Sequence, residues 1–81
     1  MQITAAGNTE VPCYLVLIAK GYQITHRAAD GAWLAEKHGN AFSAGGPLEL
    51  LGLVAMAETR GSNWRARDEE SRAFWQRYPG T

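Results

Sequence analysis

The fifteen residues from Pro47 to Gly61, PLELLGLVAMAETRG, constrain the fold most, because they hold the start, the apolar surface and the stop of one helix. Pro47 suits a first helical position, where its missing N–H is no loss. Glu49 stands in the first turn, where the helix dipole favours a negative charge, and Arg60 with Gly61 closes the far end. Leu48, Leu51, Val54 and Ala55 are expected to face inward, so this is a core helix and the remaining segments must give it a surface to cover.

The run CYLVLIA from Cys13 to Ala19 is rich in β-branched and aromatic residues and lies between Pro12 and the pair Lys20 and Gly21, which reads as a first strand. Tyr22 to Ala28 alternates and reads as a second strand. Asp30 and Gly31 are a hairpin signal, since both central residues of a type I′ turn need positive φ, and Trp33 to His38 then forms a third strand. With Asp30 and Gly31 as the loop, Ala28 faces Trp33, His26 faces Ala35 and Ile24 faces Lys37. A second tight turn at Lys20 and Gly21 pairs Leu17 with Ile24 and Leu15 with His26 on the same inner side. That leaves Tyr14, Val16 and Ile18 on the outer side with Arg27 and Leu34. Gly39 to Gly46 is a connection in which Phe42 anchors to the core. A second helix is expected from the N-cap Asp68 to about Tyr78, with Glu69 and Glu70 in its first turn and Phe74 and Tyr78 on one face.

A chain of 81 residues forms one domain, and at this size it buries only roughly 60% of its unfolded surface, so association would add to its stability. The apolar fraction of 46% is too high for disorder, and no apolar run approaches the roughly 20 residues of a membrane span. The apolar run follows Glu10 rather than a basic segment, which argues against a signal peptide. The lone Cys13 cannot pair within the chain, so the expected compartment is the cytoplasm. Eight basic and eight acidic side chains cancel. They are unevenly placed, with five Arg against three acids in residues 59 to 81, which leaves one local argument for an anionic partner.

Each residue set with chemical potential has a plainer reading beside it. Cys13 and His26 become diagonal neighbours in the expected sheet, the minimum for a thiol nucleophile, but on a face that the Pro47 helix covers; a buried thiol beside a core histidine is the reading favoured. Cys13, His26 and His38 do not make a metal set, because His38 belongs to the opposite face. Glu58 falls on the arc of Leu51 and Val54, so it is expected to be partly buried and paired to Arg65, Arg67 or the Asn63 and Trp64 amides. Arg60, Arg65 and Arg67 surround Trp64 as in a single-strand binding platform, but Glu58, Asp68, Glu69 and Glu70 bracket and neutralise them. No cofactor or small-molecule site is expected.

These readings give an α+β domain over residues 1–81, a three-stranded antiparallel meander followed by two helices (β-β-β-α-α), with the first helix on one sheet face. The order of hairpin, third strand and covering helix across residues 13 to 60 is similar to that of HicB-type antitoxins, a likeness that implies a fold and not an activity. The function expected is that of a small non-enzymatic, bacterial-type interaction or accessory module. It would use the outer sheet face of Tyr14, Val16, Ile18, Arg27 and Leu34 to bind a protein partner or a second copy of itself as a homodimer. The alternative is a nucleic-acid-binding or antitoxin-like regulator using Arg60, Trp64, Arg65 and Arg67.

Overall fold

A computed structural model describes residues 1–80. Helix α1 (Glu10–Ala19) is followed by strands β1 (Gln23–His26), β2 (Trp33–Lys37) and β3 (Asn40–Ala44), then helix α2 (Pro47–Arg60), a 3₁₀ turn over Gly61–Asn63 and helix α3 (Asp68–Arg77). The three strands form an antiparallel meander in the order β1-β2-β3, and two helices follow it, α2 lying on one sheet face. The α+β class is therefore as expected, while the residues that build the meander are not.

The expected first strand is helix α1. Its apolar run is unbroken, so it carries neither a period of two nor one of 3.6, and the decision falls to its ends. Pro12 sits in the first turn, where a helix tolerates it, and the far end is a Schellman motif. There the N–H of Gly21 (φ 92°) donates to the Ile18 carbonyl at 2.9 Å and the N–H of Tyr22 to the Leu17 carbonyl at 3.1 Å. Leu17 and Tyr22 then meet in the core, the apolar contact that accompanies this cap. Lys20 and Gly21 thus end a helix instead of turning a hairpin, and the order of hairpin, third strand and helix likened to HicB-type antitoxins runs over residues 23 to 60 rather than 13 to 60, with α1 in front of it.

The first hairpin is present, with its register shifted by two. Ile24 pairs with Ala35 and His26 with Trp33, and the loop is wider than Asp30 and Gly31 alone. Arg27 closes it: its backbone N–H donates to the Ala32 carbonyl at 2.8 Å and its guanidinium holds the Asp30 carboxylate at 2.6 Å. A shift of two keeps each side chain on its side, so Ile24, Trp33 and Ala35 still face inward. The tight turn with two positive φ values is at His38 (51°) and Gly39 (79°), between the paired residues Lys37 and Asn40. The stretch from Gly39 to Gly46, expected as a connection, supplies β3, and Phe42 anchors as expected, its ring 6.0 Å from that of Tyr22 and edge-on to it.

Leu17, Tyr22, Ala35, Leu50 and Val54 are buried together, with Ile24, Trp33, Phe42, Ala44 and Leu51 around them. Helix α2 has the expected bounds and a rotated face. Leu50 and Val54 are buried, whereas Leu48 and Ala55 lie on an exposed shoulder. This helix serves α1 as well as the sheet, and the centre of its buried arc moves toward both. Helices α1 and α2 run side by side in the same direction: Glu10 meets the start of α2 through the Leu48 N–H at 3.3 Å, and Lys20 meets its end through Glu58 at 2.9 Å.

Candidate interaction surface

Helix α1 buries Cys13 and Leu17, spaced i and i+4, against α2 and the sheet. At roughly 100° per residue Val11, Leu15 and Ile18 fall on the opposite side, with Tyr14 at their flank. The three are 66%, 56% and 44% exposed, and no charged residue lies between Glu10 and Lys20. The stripe runs at its N-terminal end into an open cleft of about 540 Å³ lined by Glu10, Val11, Tyr14, Trp33, Gly45, Gly46 and Pro47. Trp33 is held there by stacking on His26, with ring centres 4.3 Å apart.

The surface expected on the outer sheet face is split by this arrangement. Tyr14 and Ile18 belong to the α1 stripe and its cleft. Val16 is exposed on another side of the helix, because alternate residues share a face in a strand and diverge by roughly 200° in a helix. Arg27 is in the hairpin loop, ion-paired to Asp30, and Leu34 is partly buried on the sheet face turned away from α2. The hydrogen bonds from Arg27 and from the Ala32 N–H lower the Asp30 carboxyl to about 2. Val11, Leu15 and Trp33 were missed; the i, i+4, i+7 spacing of residues 11, 15 and 18 was the signal for the first two once the run is taken as a helix.

The arginines do come together. Arg60, Ser62, Asn63, Arg65 and Arg67 line a second concavity of about 350 Å³, and the Arg65 guanidinium lies 4.3 Å from the Trp64 ring centre. Helix α3 supplies their counter-charges. Glu70 accepts from the Arg67 N–H at 2.9 Å and from the Arg60 guanidinium at 2.8 Å, and these bonds, the backbone one foremost, lower its carboxyl to about 2. Arg67 also lies 3.5 Å from both Glu69 and Glu70. Arg67, not Asp68, is the N-cap residue, and Asp68 opens the helix itself.

The remaining candidates are separated. Cys13 is buried in α1 and His26 is exposed on β1 against Trp33, so they are not the neighbours that the expected sheet made them. His38 sits in the β2–β3 turn. Glu58 is half-exposed and pairs with Lys20 rather than with Arg65 or Arg67, and the bond raises the Lys20 pKa. Among the described residues no three His, Cys, Asp or Glu side chains gather where they could hold a metal ion, and no helix is long and apolar enough to cross a membrane.

Beyond the arginines, α3 carries a second exposed apolar face. Phe74, Trp75 and Tyr78 share an arc of roughly 100° and pack on one another, with ring centres 4.8 Å (Phe74–Trp75) and 5.4 Å (Phe74–Tyr78) apart. All three are about half exposed, because α3 is tethered through its first turn and packs extensively on neither the sheet nor the other helices. The molecule is correspondingly open. Its accessible surface is 6313 Å², against about 4,800 Å² for a folded monomer of its mass. Comparison with protein-family models, curated proteins and solved structures finds no match to this chain.

Proposed function

We propose that this chain is a non-enzymatic interaction module of the cytoplasm that docks through the outer stripe of α1, and that its partner is a second copy of itself. The observation that carries the reading is the exposure of Val11, Leu15 and Ile18 on a helix whose other side is already core. An amphipathic surface helix turns a polar face to water, and this one has none between Glu10 and Lys20. The adjoining cleft extends the apolar surface to Tyr14 and Trp33. A thin core, centred among the described residues on Leu17, Tyr22, Ala35, Leu50 and Val54, gives the chain a reason to gain stability from association. The single Cys13, buried and unpaired, suits a reducing compartment.

Sedimentation equilibrium tests the reading. The chain should be dimeric at high micromolar concentration, and Leu15→Glu should make it monomeric with its helical signal intact, since Leu15 is more than half exposed and outside the buried core. A wild-type chain that stays monomeric, or a Leu15→Glu chain that associates unchanged, removes the proposal.

The arginine concavity favours a second reading, a contact with nucleic acid. Two of its three guanidinium groups are already paired to α3, so binding is expected in the non-specific range, on the order of 10⁻⁴ M at physiological salt. Titration of short single strands and duplexes, followed by Trp64 fluorescence, checks this. Sub-micromolar binding lost in Arg65→Ala would make this loop the functional site.

A further inference from the structure

The chain exposes two apolar helix faces, and they complement each other. From this we infer that the dimer forms by exchange, the aromatic face of α3 in one copy seating antiparallel on the α1 stripe of the other, and the reverse contact completing a two-fold pair. The inference rests on the reading that α1 is the docking surface, and adds what occupies it.

Area supports it first. Val11, Leu15 and Ile18 offer a few hundred Å² per copy, and two such stripes facing each other fall short of the roughly 800 Å² per partner of a specific interface. Adding Phe74, Trp75 and Tyr78, each half exposed and so with about half of an aromatic side chain's 150–250 Å² still to bury, brings the contact toward that scale. The molecule's surface excess of about 1,500 Å² leaves room for a contact of this size, which would remove about half of it, the exposed first eight residues holding part of the rest.

Charge fixes the direction. Helix α1 begins at the acidic Glu10 and is capped at its far end by Lys20, whose ammonium pairs with Glu58 and whose carbonyl accepts a hydrogen bond from Lys37 Nζ at 2.6 Å, so two ammonium groups against one carboxylate leave that end with a net positive charge. Helix α3 is the mirror of this: Asp68, Glu69 and Glu70 fill its first turn and outnumber Arg60 and Arg67, which pair with them there, so a net negative charge remains, and Arg77 lies in its last turn. Laid antiparallel, the acidic turn of α3 meets Lys20 and Lys37, and Arg77 meets Glu10 at the mouth of the cleft. Laid parallel, like charges meet at both ends. The two helices are both ten residues long, and opposed macrodipoles favour the same direction. Glu70 holds the start of α3 on Arg60 and leaves the aromatic face turned outward for another copy.

Complementation between variants tests the exchange. In a two-fold dimer each substitution is present twice, so Leu15→Glu and Phe74→Glu should each weaken self-association at least about a hundredfold. Both residues are about half exposed, and neither belongs to the buried core, so both chains should keep the wild-type far-ultraviolet spectrum. When the two variants are mixed, the intact α1 of one and the intact α3 of the other restore one of the two contacts, and the mixture should associate more tightly in sedimentation than either variant alone. A dimer lost in Leu15→Glu but retained in Phe74→Glu would leave α1 as the docking surface and overturn the exchange. A mixture that associates no more tightly than either variant alone would also overturn it. A monomeric wild-type chain would overturn both readings, and would point to a different partner or to α3 folding back on its own α1.

Discussion

Glu10 lies in the first turn of α1, and its Oε2 accepts the Leu48 N–H at 3.3 Å, so a carboxylate from one helix caps another whose own N-cap residue, Gly46, has no side chain. Gly46 allows that approach, because a Cβ there would stand 3.1 Å from the same oxygen. Glu10→Ala should lower stability by about 1 kcal/mol in urea unfolding, the usual size of a lost cap, while Glu10→Gln, which still accepts a hydrogen bond, should lose less. Equal losses would place the effect in charge rather than in capping. Cys13 gives a second test at this scale. Buried between α1 and the core, it should react with a thiol reagent far more slowly in the native chain than in denaturant, and rapid native labelling would revive a nucleophilic role.

At the scale of elements, the turn at His38 and Gly39 holds a non-glycine residue in the left-handed region. His38→Asn, the residue that type I′ turns prefer there, should stabilise the hairpin by up to about 1 kcal/mol in thermal or urea unfolding, and a destabilised variant would contradict the turn assignment. Helix α3 makes a prediction of a different kind. Glu70 falls from an ordinary value of 4.5 to about 2 on folding, so the anchor it makes is complete above about pH 4.5 and is lost as pH falls toward 2. Asp30 releases the Arg27 loop in the same window, from 3.8 to about 2. Amide exchange should therefore quicken over residues 68 to 77 before it does over β2; uniform exchange across both would show that α3 has a firmer attachment. The elements differ in how far the sequence revealed them. Helix α2 was legible to the residue because Pro47, Glu49, Arg60 and Gly61 mark its ends. Helix α1 was not, because a run apolar on every side hides its period, and its decisive signal, Gly21 followed by Tyr22 to meet Leu17, is tertiary in effect. A strand over that run groups Tyr14, Val16 and Ile18 by a spacing of two and turns Leu15 inward, whereas in the helix Leu15 faces out.

For the whole molecule, the radius of gyration of 14.9 Å exceeds the roughly 12 Å of a compact chain of this length. The projecting α3 and the exposed first eight residues both add to it, and only α3 carries an aromatic face that association can bury. Net charge does not oppose association, since acids and bases balance. The balance of energies sets the regime. Covering the three half-exposed aliphatic side chains of each copy, six in a two-fold pair, contributes on the order of 1 kcal/mol each, which at best matches the several kcal/mol lost as translational and rotational freedom; covering the α3 aromatics of both copies as well brings the total past it, to a dimer of micromolar strength or weaker. Folding and association are then linked, and the melting temperature must depend on concentration. Above the dissociation constant, each tenfold increase in chain concentration should raise the melting temperature by a few degrees, on the order expected for about 1 kcal/mol in a domain of this size. Leu15→Glu and Phe74→Glu should melt at the wild-type's dilute-limit temperature whatever their concentration. A wild-type melting temperature constant over a hundredfold range of concentration would mean that the exposed faces of α1 and α3 contribute nothing to folding, and that the molecule is stable on its small buried core alone.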